Sequence, residues 1–336
     1  MTIKIAFFNH KGGVSKTTSA YHLAWMLTNK NKRVLLVDAD SQCNLTLLAL
    51  GDSEFERFYQ QNPFQNIKSA LSSAFESKPE LIKPVDCIKV KENEKLLLLP
   101  GSFELSEYEV QLGVSFQLSH SFSTMKNLPG SFNYLIEKTA EKNNIDIVII
   151  DMNPSLSAIN QDLLIISDYF IVPTSPDYFS IMAINSLARI LPRWEHWAKQ
   201  ARTMFDEATY QLPKNTPKFL GYTVNDFNIK SGEPTIGFQK IMENIDETVK
   251  NILIPNMNKE GMLLAPEYYG DYCLGKISSF NTLTAKFQQY GVPIFELSDQ
   301  QVGSTANLKN QKDSIEKFRT LFSNIADKIL KMTQNE

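Results

Sequence analysis

Apolar residues occur along the chain in short continuous runs, and the longer stretches between these runs repeat apolar residues every three or four positions. The continuous runs predict strands buried on both faces, at residues 3–8, 33–38, 95–99, 146–150, 169–172, 219–224 and 292–295. The repeats predict helices at residues 17–30, 54–60, 67–75, 132–142, 159–166, 179–191 and 313–332. This alternation predicts the α/β fold class, a doubly wound and mostly parallel sheet with helices on both faces.

A single domain spanning residues 1–336 accounts for the alternation, although two polar stretches interrupt it. We interpret residues 52–92 and 193–217 as insertions into this domain, and we expect an extra helix in the second of them. The last predicted helix, 313–332, carries apolar side chains on one stripe, namely Ile315, Phe318, Phe322, Ile325, Ile329 and Met332. Because such a stripe is more often part of a core than a membrane anchor, we expect this helix to dock on the sheet.

Composition and charge disfavour several classes of protein. The chain carries 34 Lys and Arg against 37 Asp and Glu, and a net charge of −3 disfavours coating of nucleic acid by the whole surface. Cys43, Cys87 and Cys273 are far apart, which disfavours a disulfide framework, a zinc ribbon and an iron–sulfur site. No apolar run approaches the roughly 18 residues of a membrane span, and the first residues do not resemble a secretory signal. We therefore expect a cytoplasmic protein.

A glycine-containing turn joins the first predicted strand to the first predicted helix. Its residues are candidate phosphate ligands, namely Lys11, Gly12, Gly13, Val14, Ser15, Lys16, Thr17 and Thr18. The glycines let the backbone turn tightly and direct N–H groups at phosphate oxygens, and the following helix N-terminus adds partial positive charge. Lys16 can bridge two phosphates and the Thr17 hydroxyl can coordinate Mg²⁺. The plain P-loop pattern is not met, because His10 and Ser15 stand where it has glycine.

Three acidic residues follow predicted strands, where α/β sheets place their active sites. Asp38 and Asp40 follow the second strand, and Asp151 follows the run at 146–150. A hydrophobic strand that ends in aspartate is a weak signal alone. After a phosphate loop it becomes a Walker B strand, and we expect Asp151 to hold Mg²⁺ directly or through water.

The phosphate loop resembles the deviant Walker A motif K-G-G-x-G-K-T-T, in which Ser15 replaces a glycine. On this motif and the carboxylates that follow it, the chain resembles the ParA/MinD family of P-loop ATPases, and its ParA branch most closely. The resemblance implies ATP and Mg²⁺ as cofactors and a homodimer on ATP, in which Lys11 reaches the partner's nucleotide. It implies that Asp40 positions the attacking water, that Asp38 lies near the metal, and that Asn225 contacts adenine.

The resemblance also implies a cellular function, which is to partition or position DNA or a large complex by ATP-dependent dimerisation and hydrolysis. It implies an adaptor protein encoded nearby, association with the nucleoid, and non-specific DNA binding, for which the candidate residues are Lys230, Lys276 and Lys286. Two alternatives remain. One is an ATP-dependent regulator or scaffold with slow hydrolysis, because Ser15 and Asn153 depart from the family pattern. The other is a MinD-like switch that cycles on membranes through its last helix.

Overall fold

The computed structural model describes residues 2–118, 123–230, 233–303 and 308–333. The strands over these residues are β1 (Ile3–Phe7), β2 (Val34–Ala39), β3 (Ile88–Val90), β4 (Asn93–Leu99), β5 (Ile147–Met152), β6 (Tyr169–Thr174), β7 (Lys218–Asn225), β8 (Ile229–Lys230), β9 (Glu233–Pro234) and β10 (Cys273–Ile277). The helices of the first half are α1 (Lys16–Asn29), α2 (Asn44–Leu50), α3 (Asp52–Gln61), α4 (Ile67–Phe75), α5 (Glu109–Leu118), α6 (Ser131–Lys142) and α7 (Ala158–Ile165). Those of the second half are α8 (Tyr178–Met204), α9 (Ile236–Thr248), α10 (Ile254–Asn258), α11 (Thr282–Tyr290), α12 (Asp299–Val302) and α13 (Leu308–Thr333).

Eight of these strands form one sheet in the order β10-β7-β6-β1-β5-β2-β4-β3. Every neighbouring pair is parallel except β3 with β4. The central strands are buried along their length, as continuous apolar runs require. The predicted fold class is therefore confirmed. Phe7 on β1 and Asp38 on β2 both lie opposite Asp151 on β5, so these three strands end at one edge of the sheet.

Two predicted elements differ from the structure. The predicted strand at 292–295 is wrong: Gly291 has a left-handed φ of 61° and Pro293 lacks an N–H, so the chain turns into a short 3₁₀ helix, Ile294–Glu296. The last parallel strand is β10 instead, whose apolar pattern is interrupted by Gly275 and Lys276. The helix predicted to end at residue 191 continues past Pro192 to Met204 as α8, so the start of the 193–217 segment is helical.

Each face of the sheet has its own hydrophobic core. One core includes side chains of α4 to α9, and the other includes side chains of α1, α11 and α13. The six stripe residues of the last helix are buried in the second core. Gly275 permits this packing, because a Cβ at that position would lie 2.7 Å from Cδ1 of Ile325. Within the described ranges, every helix is too short or too polar to cross a membrane.

A buried ion pair holds the two ends of the segment 193–217 together. Glu195 on α8 is fully buried and accepts hydrogen bonds from both terminal nitrogens of Arg202, the shorter of 2.7 Å. The Thr216 hydroxyl donates to the same carboxylate at 2.7 Å, and Nε of Arg202 donates to the Pro213 carbonyl. Because these groups satisfy each other, the polar segment packs against the sheet without leaving a buried charge unpaired.

His22 joins the first helix to the segment that follows α11. Its Nδ1 lies 2.8 Å from the Thr18 carbonyl, so Nδ1 carries the proton, and its Nε2 accepts a hydrogen bond from the Ile294 N–H at 3.2 Å. Aromatic rings pack around the imidazole, those of Tyr21, Phe280, Phe287, Phe295 and Phe322. Burial lowers the pKa of His22 to about 3. The imidazole is therefore neutral in the folded protein.

This neutral histidine predicts a loss of stability in acid. The folded-state pKa of about 3 lies below the usual 6.5, so the stabilisation is complete above pH 6.5 and declines as pH falls towards 3. Between pH 7 and pH 4 we expect His22 to contribute a loss of about 3 kcal/mol in the free energy of unfolding. Urea titrations of the wild type and of His22→Gln across this range measure it. Equal pH dependence of the two proteins would contradict the assignment.

Candidate functional site

The phosphate loop spans residues 8–15 between β1 and α1, and neighbouring strands hold its backbone. The Asn225 side chain at the end of β7 donates to the Val14 carbonyl at 2.8 Å, and the Ser175 hydroxyl after β6 donates to the Gly13 carbonyl at 3.4 Å. Asn9 donates to the Pro173 carbonyl and accepts from the Lys11 N–H. These contacts hold the loop carbonyls on the protein side. The loop N–H groups are then left to bind a phosphate on the opposite side.

Ser15 adopts a left-handed conformation, with φ 59° and ψ 36°, directly before the first residue of α1. Its side chain makes no capping hydrogen bond to the helix. A left-handed conformation costs an L-residue roughly 1–2 kcal/mol, which explains why a glycine suits this position. The sequence comparison with the motif identified the substitution, and the structure adds backbone strain as its cost.

Replacing Ser15 with glycine is therefore expected to stabilise the protein by about 0.5–1 kcal/mol, the removed strain less the extra entropy of the unfolded chain. Denaturant unfolding without nucleotide measures this change. Ser15→Ala is the matched control, because it removes the hydroxyl but keeps the strained backbone, and it should not show the gain. Equal stabilisation by both variants would assign the effect to the hydroxyl instead.

Lys16 is the buried cation of the loop. Its ammonium donates to the Lys11 carbonyl at 3.3 Å, and only 7% of the residue is exposed. Burial lowers the pKa of Lys16, while the carboxylates of Asp151 and Asp40 act in the opposite direction. A cation in this position, held at the start of a helix, favours binding of an anion with several charges.

Thr17 and Asp151 lie together as the sequence predicts. The Thr17 hydroxyl donates to Oδ2 of Asp151 at 2.6 Å, whereas Oδ1 of Asp151 is buried without a hydrogen-bond partner. Burial, and then the neighbouring Asp38, raise the pKa of Asp151 to about 8. An unpartnered buried carboxylate oxygen beside a hydroxyl is a donor set that fits Mg²⁺.

The protein alone offers few ligands for a metal. Among the residues described, no group of three or more His, Cys, Asp and Glu side chains could hold an ion. Mg²⁺ is commonly bound through one or two carboxylates together with substrate phosphates. Thr17 and Asp151 therefore fit a magnesium ion that arrives with a nucleotide.

Asp38 is turned towards the protein. Its Oδ2 accepts hydrogen bonds from the N–H and the hydroxyl of Thr46 at 2.8 and 2.6 Å, and its Oδ1 accepts from the Asp40 N–H at 3.3 Å. A Cβ on Gly101 would lie 2.9 Å from Cγ of Asp38. Burial raises the pKa of Asp38 to about 7. These contacts suit a residue that fixes the loop after β2. Because both carboxylate oxygens of Asp38 accept hydrogen bonds from the protein, any role of Asp38 at the predicted metal site would be indirect.

Asp40 lies at the same edge of the sheet and is almost completely buried. Its Oδ1 accepts a hydrogen bond from the Gln42 N–H at 2.9 Å, which turns the loop back on itself. Its charge acts on Lys16, so the structure brings these two side chains of the predicted site close together. The carboxylate is thus oriented by the loop that Asp38 fixes.

Lys11 reaches the start of α8. Its ammonium forms an ion pair of 2.9 Å with Oδ2 of Asp177, whose Oδ1 caps α8 by accepting the Ser180 N–H. Sequence reasoning missed Asp177 as the partner of Lys11, although an aspartate before a helical repeat is a typical N-cap signal. Large apolar side chains are exposed in the segments that adjoin this pair, those of Leu156, Tyr178, Phe179 and Met182.

A cavity of about 730 Å³ opens beyond the ends of β7 and β10. Phe227, Ser279 and Lys276 line it. Asn225 lies at the end of β7 with its Oδ1 buried and unpartnered. Of the lysines predicted to contact DNA, Lys286 donates to the Gln301 carbonyl, and the side chain of Lys230 lies outside the described residues.

Comparison with known proteins agrees with this geometry. A family model described as an AAA domain matches residues 2–202. The chain is 33% identical over 250 residues to an uncharacterized protein of Methanocaldococcus jannaschii, covering 74% of this chain and 82% of that protein. It is 28% identical over 184 residues to the sporulation initiation inhibitor protein Soj of Bacillus subtilis, covering 54% and 62%. It is 26% identical over 189 residues to the chromosome partitioning protein ParA of Caulobacter vibrioides, covering 56% and 62%.

Solved structures share the fold at low sequence identity. A protein of Corynebacterium diphtheriae aligns with a TM-score of 0.68 at 20% identity, over 86% of this chain and 97% of that one. A plasmid partition protein of Borrelia burgdorferi bound to AMPPNP aligns with 0.58 at 20% identity, over 98% and 99%. The pNOB8 ParA bound to nonspecific DNA aligns with 0.58 at 19% identity, over all of both chains.

The parallel sheet, with a phosphate loop before α1 and an aspartate at the end of β5, defines a P-loop nucleotide-binding protein. The loop carries an additional lysine at its start, Lys11, and this residue narrows the class to the deviant Walker A type. The chain belongs to the ParA/MinD family of P-loop ATPases, and within it to the ParA branch. Membership of this family implies that the protein binds and hydrolyses a nucleotide.

Proposed function

We propose that the protein is a Mg²⁺-dependent ATPase that dimerises on ATP and uses hydrolysis to partition or position DNA or a large complex. Similarity to the chromosome partitioning protein ParA of Caulobacter vibrioides supports the class of work, and the AMPPNP bound to the Borrelia plasmid partition protein supports the nucleotide. The observation that carries the proposal is that Lys16, Thr17 and Asp151 meet beside the phosphate loop. The loop offers these groups to a triphosphate, and Lys11 stands at the surface beside it.

The chemistry follows from these groups. The loop N–H groups and Lys16 bind the phosphates. Thr17 and Asp151 would hold Mg²⁺, which would supply positive charge opposite the phosphate oxygens. Asp40 orients the water that attacks the terminal phosphate. Asn225 already bonds the Val14 carbonyl through its amide nitrogen, so its unpartnered Oδ1 is free to accept a hydrogen bond from adenine.

Dimerisation follows from the surface around Lys11. The side chains of Leu156, Tyr178, Phe179 and Met182 are 45–70% exposed in segments that adjoin the Lys11–Asp177 pair. Exposed apolar patches of this kind mark protein interfaces. A second copy that covers the patch would bring Lys11 to the partner's nucleotide. ATP then favours the dimer, because its terminal phosphate gives Lys11 a contact that the monomer lacks.

The double variant Phe179→Glu, Met182→Glu is expected to remain a monomer with ATP, because the dimer would have to bury two unpaired carboxylates. Size-exclusion chromatography with and without ATP measures this. Ile236→Glu is the matched control, because Ile236 is 87% exposed on a different helix, and it should dimerise like the wild type. Dimerisation of the double variant with ATP would contradict the proposed interface.

DNA and an adaptor protein are the proposed partners. The pNOB8 ParA is bound to nonspecific DNA, and this chain offers Lys276 as an exposed cation at the cavity beyond β10. Because the net charge is −3, any DNA contact needs a local patch, which the ATP dimer would assemble. DNA contact would place this cytoplasmic protein at the nucleoid. Size-exclusion chromatography of the protein with a DNA fragment, run once with ATP and once with ADP, tests this DNA binding.

A nucleotide-dependent regulator with slow hydrolysis is the second candidate, and the strained backbone of Ser15 favours it. Negligible steady-state turnover together with tight ATP binding would select this candidate. The membrane-cycling switch has less support, because the apolar stripe of α13 is buried in the second core. Co-sedimentation with liposomes, with and without the residues after Lys312, tests that switch.

A further inference from the structure

A second cavity, of about 460 Å³, lies between α5, the start of α7 and the middle of α8. Three aromatic side chains line it, beside aliphatic and polar ones. The rings of Phe116 and Trp197 lie 4.3 Å apart at their centroids, and Trp194 lines the same space. The indole N–H of Trp197 donates to the Phe116 carbonyl at 3.3 Å, so its polar atom is satisfied. The cavity therefore offers an apolar surface of a size typical of ligand sites.

The rim of this cavity is cationic. Arg193 lines it and is exposed, and Arg189 is exposed one turn earlier on the same helix. Over the described ranges, neither arginine has a hydrogen bond or an ion pair. The carboxylate of Glu109 on α5 accepts the backbone N–H groups of Ala158 and Ile159 and forms no ion pair with either arginine. An apolar cavity with unpaired arginines at its rim is complementary to an apolar group flanked by acids.

The cavity also adjoins the loop that follows Asp151. Leu156 lines the cavity and belongs to the loop between β5 and α7. The Asn160 side chain holds that loop, donating to the carbonyls of Asn153 at 2.7 Å and Ser155 at 2.8 Å. Glu109 fixes the start of α7 from α5. A group that separates α5 from α8 would therefore shift the loop that leads away from Asp151.

We propose that this cavity is the docking site for a segment of a partner polypeptide, one that carries an aromatic side chain between acidic residues. Docking changes the rate of nucleotide hydrolysis by moving the loop after Asp151, a consequence that rests on the proposed function. The cavity adjoins the exposed apolar patch beside Lys11, because Leu156 belongs to both, so the partner would dock at the edge of the proposed dimer interface.

The binding experiment uses the full chain without nucleotide and a fluorescein-labelled peptide, Gly-Glu-Asp-Phe-Glu-Glu-Phe-Asp-Glu-Gly. Fluorescence anisotropy should show saturable binding with a Kd on the order of 100 μM or tighter. Lysine in place of each acid, or serine in place of each phenylalanine, should weaken binding at least tenfold. Arg193→Glu should weaken it similarly, whereas Arg57→Glu, an equal charge change on the exposed face of α3, should not.

Gly113→Leu tests the cavity itself. A Cβ at Gly113 would lie 3.8 Å from Cβ of Ala158, an ordinary contact, and Gly113 lines the cavity, so a leucine there should occupy its space. This variant should fold and lose peptide binding. Equal binding of the three peptides, wild-type binding by Arg193→Glu, or absence of saturable binding would each overturn the proposal.

Turnover separates this proposal from the proposed function. With ATP and saturating peptide, phosphate release by the wild type should change at least threefold, and Gly113→Leu should not respond. Peptide binding without any turnover would refute the ATPase function and leave the docking site standing. Normal turnover without peptide binding would refute the docking site alone. Binding that leaves normal turnover unchanged would refute the coupling through the loop.

Discussion

Lys16→Ala is expected to abolish ATP binding. Lys16 is the buried cation of the loop and lies within reach of the charges on Asp40 and Asp151. Without it, these acids would face the phosphates of ATP with no compensating charge at the loop. Truncation of one partner of a buried charge pair costs about 2–5 kcal/mol, which corresponds to a roughly 30- to 5,000-fold weaker Kd. Isothermal titration calorimetry with ATP and Mg²⁺ measures the loss.

Lys11→Ala is the matched control for this prediction. Both residues are lysines of the same loop, but Lys11 lies 2.9 Å from Asp177 and contacts the nucleotide only across the proposed dimer interface. Its loss should leave ATP binding to the monomer within a few-fold of the wild type while preventing the dimer. ATP binding by Lys16→Ala at wild-type strength would show that the loop holds phosphates by its backbone alone.

Asp40→Ala is expected to bind ATP but to hydrolyse it slowly and to persist as a dimer. Positioning and activation of a water by a carboxylate contribute about 10²- to 10⁴-fold to a rate, so phosphate release should fall by this factor. ATP binding is retained, because Lys16, Thr17 and Asp151 remain in place. Steady-state phosphate release and size-exclusion chromatography with ATP measure the two effects together.

Asp52→Ala serves as the control, because Asp52 is exposed at the start of α3 and has no place in the site. It should hydrolyse ATP at the wild-type rate. If Asp40→Ala also hydrolysed at that rate, the proposed mechanism would be wrong, and another group would have to orient the water.

The sequence predicted the central sheet well, because strands buried on both faces leave continuous apolar runs such as 146–150. It failed where burial depends on distant partners. β10 carries Gly275 and Lys276, and its place in the sheet is explained only by the packing of α13 over the missing Cβ. The predicted strand at 292–295 was apolar because Ile294 and Phe295 enter the second core, not because they extend a sheet.

The candidate site was predicted from motifs, and its supporting contacts were not. The spacing of the phosphate loop identified Lys16 and Thr17 from local sequence, and the structure brings Asp151 to Thr17 across 134 positions. Thr46, which engages Asp38, belongs to no motif, and no motif pairs Asp177 with Lys11. Their roles depend on where separate strands end, and that is a property of the folded sheet.

The elements on the two faces of the sheet are held in place by different kinds of contact. On one face, α1 is tied through His22 to the backbone of Ile294, and rings surround the imidazole. On the other face, the loop after Asp151 and the start of α8 are held by hydrogen bonds and by the partly buried ion pair of Lys11 with Asp177. The first face should therefore stay rigid, whereas the loop after Asp151 and the start of α8 can shift when a partner binds. Substitutions that change the response to partners, but not the affinity for nucleotide, should accumulate in these two segments.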